Sequence, residues 1–251
     1  MAGKSPKIRA DQRLVDLGLV ESKSRAQAVI MAGLVFSKEQ RIAKPGQMLA
    51  LDTPLELRGK DHPWVSRGGL KLAHAIEAFD LDPAGVTAID VGASTGGFTD
   101  VLLHHGADRV FAVDVGRGQL AWKLREDERV VVLEQTNARH LTEEVITTPA
   151  DWVVCDASFI GLETVLPAAM ALTNPKSTLV ALIKPQFEVG RDQVGKKGVV
   201  RDPELHQAVC DRISDWLAAQ PGWTVRGVSP SPITGPEGNV EFLIVGERGA
   251  A

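Results

Sequence analysis

The chain has 251 residues, of which 44% are hydrophobic and 24% charged, and its formal net charge is −4 at pH 7. This length favours one large domain with a small one, and no run of about 18 apolar residues predicts a membrane-spanning helix. The first residues lack the apolar stretch of a secretory signal, and Cys155 and Cys210 make neither a disulfide framework nor a zinc site. We therefore expect a protein of the reducing cytoplasm.

The charge is unevenly distributed along the chain. Residues 1–67 contain 12 Lys and Arg against 7 Asp and Glu, whereas the remainder contains 16 against 25. A basic N-terminal segment on an acidic body indicates that a polyanion is bound at one end. The alternative is a chance fluctuation over a short segment.

The N-terminal segment shows the pattern of a small α+β module over residues 1–61. The predicted elements are helices over 8–17 and 22–33, a strand ending at Val35, a turn at 44–46, and strands over 48–51 and 55–57. Gly18 and Gly33 are suitable residues to end the two helices, and Ser22 is a suitable N-cap for the second.

This module resembles an S4 RNA-binding domain. The resemblance is carried by Arg9-Ala10-Asp11, Gly18-Leu19, Ser22-Lys23, Gly33-Leu34-Val35 and Lys44-Pro45-Gly46. Lys23 replaces the usual Arg, and the usual Asn-Gly hairpin is missing from residues 36–40. The resemblance implies that basic side chains of the two helices contact RNA phosphates. The candidate contacts are Lys7, Arg9, Arg13, Lys23, Arg25 and Lys44, with Arg67 in the segment that follows; the alternative is that they are solvated surface charges.

Beyond this module the pattern changes to that of an α/β domain. Residues 62–69 are predicted to be a linker, because Pro63 and the paired glycines Gly68-Gly69 disfavour regular structure. A helix is expected from about Leu70, and apolar runs then alternate with helical patterns. The predicted strands cover 86–91, 110–115, 130–133, 152–155, 178–183, 224–228 and 241–245. They indicate a mainly parallel sheet of seven strands in a domain over residues 70–251; no helix separates the last two strands, which are free to pair antiparallel.

A glycine-rich segment at the end of the first of these strands predicts a cofactor site. It reads Asp90-Val91-Gly92-Ala93-Ser94-Thr95-Gly96-Gly97-Phe98, and glycine there lets the backbone approach a ligand at the carboxyl edge of the sheet. Asp114 ends the second strand, where a carboxylate accepts hydrogen bonds from ribose hydroxyls. This spacing also occurs in NAD sites, but those need a second glycine where Ser94 stands. The acidic-x-Gly pattern of methyltransferases fits Asp90-x-Gly92.

Four polar residues lie beside predicted strand ends or helix starts: Lys71, Asp156, Lys184 and Glu241. Methyl transfer to a ribose hydroxyl needs a base for the hydroxyl proton and an oxygen held in line with the methyl carbon. A lysine has an ordinary pKa of about 10.4, so burial and a second cation must lower the pKa of a lysine base. Lys71 near Lys184 would supply that repulsion, with both carboxylates orienting the ammonium groups. This mechanism needs no metal. Any one of the four residues, taken alone, is also compatible with a role in a surface ion pair and no role in catalysis.

The motifs around these residues resemble the TlyA family, in which an S4 domain precedes an FtsJ-like catalytic domain. The resemblance covers roughly residues 7–246. It is carried by Ser66-Arg67-Gly68-Gly69-Leu70-Lys71-Leu72, the segment 90–100, Cys155-Asp156-Ala157-Ser158-Phe159-Ile160, Ile183-Lys184-Pro185-Gln186-Phe187-Glu188 and the segment 231–243. The family's enzymes are ribosomal RNA cytidine-2'-O-methyltransferases.

The resemblance implies a Rossmann-like class I methyltransferase domain, with Lys71, Asp156, Lys184 and Glu241 as its catalytic tetrad and Lys184 as the base. It implies S-adenosylmethionine as cofactor and cytidine of ribosomal RNA, within ribosomal subunits, as substrate. The implied cofactor contacts are Asp90, Gly92, Ala93, Ser94, Thr95, Gly96, Gly97, Phe98, Asp114, Val115, Asn137, Ala138 and Asp156. Asn137 stands where many methyltransferases have an acidic residue.

Three other functions remain open at this stage. A methyltransferase that acts on an RNA base would not need two lysines. Those that act on the cytosine ring use a nucleophilic cysteine near this strand end, but Cys155 lies in an apolar run and is expected to be buried. A membrane-active hemolysin, which an older name of the family suggests, would need an amphipathic or membrane-spanning stretch. An S4 RNA chaperone without enzymatic activity would not bind the cofactor.

Overall fold

A computed structural model describes residues 7–20, 22–38, 40–57, 62–190 and 192–249, with Lys196 and Pro236 described by their backbone alone. The chain divides into two compact units, Met1–Pro63 and Trp64–Ala251. The predicted domain boundary at residue 61 falls in 58–61, outside the described residues.

The N-terminal unit combines two helices with short strands. Its elements are β1 (Lys7–Arg9), α1 (Ala10–Asp16), α2 (Lys23–Met31), β2 (Val35–Ser37), β3 (Gln40–Arg41), β4 (Met48–Ala50) and β5 (Glu56–Leu57). Strand β2 pairs antiparallel with β3 and β5, and β1 pairs antiparallel with β4. Leu14, Ile30 and Val35 are fully buried in its core, so both helices pack their apolar faces inward.

The first predicted helix was wrong at its beginning. Residues 7–9 form a strand in which Ile8 pairs with Leu49, and the backbone N–H of Ala10 donates to the carbonyl of Gln47 at 2.8 Å. The partner strand lies about 40 residues further along the chain, so no local pattern announces this pairing. The second helix begins as predicted, because Ser22 Oγ accepts a hydrogen bond from the backbone N–H of Arg25 at 3.2 Å.

The C-terminal unit is built on one seven-stranded sheet. The strands, in order across the sheet, are β8 (Val130–Leu133), β7 (Arg109–Val113), β6 (Thr87–Val91), β9 (Ala150–Cys155), β10 (Thr173–Ile183), β12 (Phe242–Arg248) and β11 (Trp223–Pro230). The strands from β8 to β10 are parallel, and β12 is antiparallel to both of its neighbours. The predicted Rossmann-like α/β fold with a mainly parallel sheet is confirmed, as is the antiparallel pairing of the last two strands.

Helices cover both faces of this sheet. They are α3 (Gly68–Ala78), α4 (Gly97–His104), α5 (Trp122–Arg125), α6 (Leu162–Ala171), α7 (Pro185–Glu188) and α8 (Pro203–Ala218). Successive residues of β9, Val153 and Val154, are both fully buried and belong to different hydrophobic clusters, one on each face. Burial on both faces explains why the central strands are continuous apolar runs without polar alternation.

Helix α3 begins at Gly68, so the paired glycines expected to interrupt regular structure form its first turn. Close packing explains two glycines of this region: a Cβ atom on Gly69 would collide with Trp64, and one on Gly97 would collide with Ser66 Oγ and the backbone nitrogen of Gly69. Since Gly97 begins α4, the glycines allow the first turns of α3 and α4 to lie against each other.

The register of the sheet gathers chain segments at one edge. Ile183 pairs with Phe242, so the residue after β10 and the residue before β12 lie side by side. Val91 pairs with Cys155, so the segments after β6 and β9 also begin together. This edge is the carboxyl end of the parallel strands, where open α/β sheets bind ligands.

Candidate active site

The structure brings the four predicted catalytic residues together at this edge. Lys71 Nζ lies 2.7 Å from Glu241 Oε2 and 3.3 Å from Asp156 Oδ2. Lys184 Nζ lies 2.7 Å from the other carboxylate oxygen, Asp156 Oδ1. The carboxylate of Asp156 therefore bridges two ammonium groups, as the sequence predicts for a pair of neighbouring lysines.

Burial makes this cluster unusual for charged residues. The side chains of Lys71, Lys184 and Glu241 are 9%, 7% and 1% exposed, and that of Asp156 is 20% exposed. Isolated charges are costly in such surroundings, so the two lysines and two carboxylates stabilise one another. Lys184 Nζ also donates hydrogen bonds to the backbone carbonyl of Asp156 at 2.8 Å and to Ser158 Oγ at 2.9 Å.

Two cavities adjoin the cluster. The first, about 500 Å³, is lined by all four cluster residues together with Arg67 and Thr234. The second, about 470 Å³, extends along the ends of β6, β7 and β9 and has mostly apolar walls. Gly92, Ser94, Asp156 and Ser158 line both cavities. The arrangement fits an elongated ligand that passes the buried cluster between its two ends.

The glycine-rich segment forms the shared wall of the cavities. Gly92 has a φ of +80°, and a Cβ atom there would lie 2.8 Å from Cα of Ala157, so only glycine fits. Of the predicted cofactor contacts, the first cavity is lined by Asp90, Gly92, Ala93, Ser94, Thr95, Gly97, Phe98 and Asp156, and the second by Gly92, Ser94, Asp114, Val115, Asn137, Ala138 and Asp156. Gly96 lines neither; it precedes α4 and packs against Leu124.

Asp114 has a second role that the sequence does not reveal. Its Oδ2 accepts a hydrogen bond from the backbone N–H of Ser94 at 2.8 Å, and its Oδ1 accepts one from Gly116 at 2.7 Å. Each carboxylate oxygen retains a further lone pair. Asp114 therefore shapes the glycine-rich loop and still presents acceptors to the second cavity. Asn137 similarly accepts a hydrogen bond from the backbone N–H of Arg139 at 3.1 Å.

Asp90 is fully buried beneath the first cavity. Its Oδ2 accepts hydrogen bonds from the backbone N–H and the hydroxyl of Thr99 at 2.9 and 2.7 Å, whereas Oδ1 has no hydrogen-bond partner among the described residues. Burial raises the pKa of this carboxyl to about 7, against the lowering effect of Thr99. The residue that opens the glycine motif thus anchors the start of α4 and keeps one oxygen available.

An Asp90→Asn variant tests the consequence for stability. The amide retains an acceptor for Thr99 and removes the titration. Because burial raises the pKa of Asp90 to about 7, the stability that this group contributes is complete below its ordinary pKa of 3.8 and is lost as the pH rises through about 7. The urea midpoint of the variant should therefore gain on that of the wild type as the pH rises from about 4 to about 7, and the difference should be constant at higher pH. Asp215→Asn, at an exposed position of α8, is the control, and a pH-independent difference for Asp90→Asn would contradict the raised pKa of Asp90.

The predicted RNA contacts differ in their availability. Lys7, Lys23, Arg25 and Lys44 are exposed on the N-terminal unit, and Arg67 is exposed beside the first cavity. Arg9 is engaged within its own unit, since its Nε and Nη2 donate to the two carboxylate oxygens of Asp11 at 2.9 and 2.6 Å. Arg13 is half-buried. The better candidates for phosphate contacts are therefore Lys7, Lys23, Arg25, Lys44 and Arg67.

Sequence reasoning missed three residues that shape the site. Ser158 contacts Lys184, and Phe159 is 89% exposed with a φ of +66°, a strained conformation for an aromatic residue. Glu188 Oε1 accepts a hydrogen bond from the backbone N–H of Leu162 at 2.8 Å, and its Oε2 accepts one from Arg212 at 3.0 Å. Glu188 thereby ties the segment after Lys184 to the segment after Asp156. All three lie in motifs that carry the TlyA resemblance, which was the available signal.

Cys155 is fully buried, as expected. Burial raises the pKa of its thiol to about 12, which disfavours the thiolate that a nucleophilic cysteine needs. Among the helices that the structure describes, none has the length and apolar character to cross a membrane.

Known proteins are similar to this chain over most of its length. The family model for FtsJ-like methyltransferases matches residues 64–248. The chain is 48% identical to the 16S/23S rRNA (cytidine-2'-O)-methyltransferase TlyA of Mycobacterium tuberculosis, over 95% of this chain and 89% of that protein. It is 37% identical to Hemolysin A of Brachyspira hyodysenteriae, over 94% and 98%. A solved structure of a Streptococcus thermophilus protein that bears a hemolysin name is 42% identical, with a TM-score of 0.77 over 99% of this chain and 90% of that one.

Proposed function

The chain belongs to the TlyA family of FtsJ-like methyltransferases, and we propose that it transfers a methyl group from S-adenosylmethionine to the 2'-hydroxyl of cytidine in ribosomal RNA. One observation carries this proposal: two lysines and two carboxylates form a buried cluster where two cavities adjoin. In this function the protein works in the cytoplasm on ribosomal subunits.

The residues present fit the cofactor. The second cavity combines the apolar side chains Val113, Ile160 and Val165 with the acceptors of Asp114, which suits an adenine base and a ribose. At the first cavity, the free oxygen of Asp90 suits the cationic end of the methionine portion. When bound, the cofactor supplies a methyl group on a positively charged sulfonium, so no metal is needed to activate it.

The cluster supports proton removal from a sugar hydroxyl. Lys184 is the proposed base, because its nitrogen is buried at the wall of the first cavity and contacts Ser158, which lines both cavities. Asp156 fixes the position of Lys184 from two sides, through its carboxylate and its backbone carbonyl. Lys71, held by Glu241, places a second positive charge on the same carboxylate.

The nature of the substrate rests on the relatives and on the surface. The M. tuberculosis relative is named for cytidine 2'-O-methylation of 16S and 23S ribosomal RNA. The exposed ring of Phe159 borders the second cavity and offers an apolar face on which a base can stack. The basic residues of the N-terminal unit provide charge for RNA phosphates, as the S4 resemblance implies.

The test is a map of ribose methylation on ribosomal RNA from cells with and without the gene. We expect a 2'-O-methylcytidine that disappears on deletion and returns when purified enzyme and S-adenosylmethionine are added to subunits from the deletion strain. Both subunits are mapped. Methylation on a base carbon or nitrogen, or no difference between the strains, would refute the proposed reaction.

Alanine at Lys23, Arg25 and Lys44 tests the role of the N-terminal unit. If each binds a phosphate, the triple variant should bind ribosomal RNA more weakly, and the slope of log K against log salt should fall by about one for each lysine or arginine replaced. Filter binding over a range of salt concentrations measures both. Lys176→Ala, an exposed lysine at the amino end of β10, is the control. Arg9 is left unchanged because its ion pair with Asp11 helps to stabilise the N-terminal unit. Unchanged affinity and an unchanged slope for the triple variant would contradict the assignment of this unit as an S4 RNA-binding domain.

A further inference from the structure

The surroundings of Lys184 Nζ restrict how it can receive a proton. Three oxygens lie within 2.9 Å of this nitrogen: Asp156 Oδ1, the backbone carbonyl of Asp156 and Ser158 Oγ. A carboxylate and a carbonyl accept hydrogen bonds but cannot donate them, whereas a serine hydroxyl does both. Of these three partners, only Ser158 carries a proton that it can donate.

This difference matters once the lysine is a base. The ammonium form donates to acceptors in every direction, as the present contacts show. A neutral amine has one lone pair and keeps two N–H donors. These two donors suit Asp156 Oδ1 and the backbone carbonyl oxygen of Asp156. That lone pair would be repelled by either oxygen of Asp156, so it faces the hydroxyl of Ser158.

Ser158 also lies where a substrate must pass. Its side chain is exposed and lines both cavities, whereas Lys184 is buried, lines the first cavity alone and has all three hydrogen-bonding directions of its nitrogen occupied. A sugar hydroxyl in the first cavity that contacted Lys184 directly would have to displace Ser158 from the nitrogen. A sugar hydroxyl that contacts Ser158 needs no such rearrangement.

We propose that Ser158 is a catalytic proton relay between the ribose 2'-hydroxyl and Lys184; this rests on the proposed function. As the oxygen–methyl bond forms, the 2'-hydroxyl proton passes to Ser158 Oγ and the Ser158 proton passes to Lys184 Nζ. The methyl–sulfur bond breaks with its electron pair on sulfur, which leaves neutral S-adenosylhomocysteine. Ser158 ends unchanged and Lys184 ends as an ammonium that releases its proton to solvent before the next cycle.

The test compares Ser158→Ala and Ser158→Thr with the wild type in single-turnover methyl transfer to ribosomal subunits. General-base assistance contributes about 10²–10⁴-fold, so Ser158→Ala should lose about 10²-fold in rate, with cofactor affinity unchanged. Ser158→Thr keeps a hydroxyl and should retain most of the rate. Ser214→Ala in α8, whose hydroxyl donates to the carbonyl of Cys210, is the control and should match the wild type.

Solvent deuterium gives a measurement that a purely structural role would not change. Two protons in flight predict a curved dependence of the wild-type rate on deuterium fraction, and Ser158→Ala should show a straight line. A wild-type rate for Ser158→Ala, or a straight line for the wild type, would overturn the relay while leaving the proposed function intact. The absence of ribose methylation by the wild type would instead refute the proposed function.

Discussion

Lys184→Ala should lower the single-turnover rate of methyl transfer by about 10³-fold and leave the dissociation constant of S-adenosylmethionine within about threefold of the wild-type value. The loss is expected because the side chain that receives the proton is removed. Cofactor binding should survive, since Lys184 lines the first cavity alone, whereas the proposed adenosine contacts line the second. Calorimetry with the cofactor and a radiolabelled transfer assay measure the two quantities on the same preparation.

Lys184→Arg separates the two roles that a lysine can have at this position. Arginine keeps a positive charge beside Asp156 but does not lose its proton in proteins. If Lys184 is the base, the arginine variant should be as slow as the alanine variant. An arginine variant with near wild-type rate would show that the positive charge alone is needed, and Lys184 would lose its role as the base.

The sequence predicted the site better than it predicted the boundaries of local elements. Asp156, Lys184 and Glu241 follow or precede apolar strands, and parallel strand ends meet at one edge, so their convergence was inferable. Strand β1 was not inferable, since its partner β4 is distant in sequence and strands this short carry no periodic signal. Local sequence propensity determines neither the convergence of the site residues nor the formation of β1. Both depend on how strands pair in the folded chain.

The missed residues have a common physical reason. The roles of Ser158 and Glu188 come from hydrogen bonds between segments that are distant in the sequence, which depend on side-chain geometry and leave no pattern along the chain. Gly68 and Gly69 were interpreted as a break, whereas they form the first turn of α3, where Gly69 leaves room for Trp64 and its backbone lies close to Gly97. A pair of glycines in a sequence does not distinguish a break in regular structure from a site of close packing. The contacts of Trp64 with Gly69 and of Ser66 with Gly97 are visible only in the folded structure.

The ion pair between Lys71 and Glu241 should contribute strongly to the stability of the C-terminal unit. Glu241 is 1% exposed, and its only ion pair among the described residues is with Lys71. Lys71→Met therefore leaves a buried carboxylate without its cation. Breaking a buried pair in this way typically costs about 3–5 kcal/mol, because the remaining charge is left without compensation. We expect the free energy of unfolding of the C-terminal unit to fall by about that amount at pH 8. All five tryptophans lie at positions 64–223, so tryptophan fluorescence during urea unfolding reports on this unit alone.

The double variant Lys71→Met/Glu241→Leu shows whether charge is the cause. Replacing both partners by apolar residues removes the unpaired carboxylate, so the double variant should recover most of the stability that Lys71→Met loses. It should nevertheless remain inactive, since Lys71 no longer places its charge on Asp156. Lys176→Met, an exposed lysine in the same unit, is the control for loss of a positive charge. A double variant no more stable than Lys71→Met would mean that Lys71 stabilises the unit through packing, and mutual stabilisation of the two lysines and two carboxylates would be ruled out.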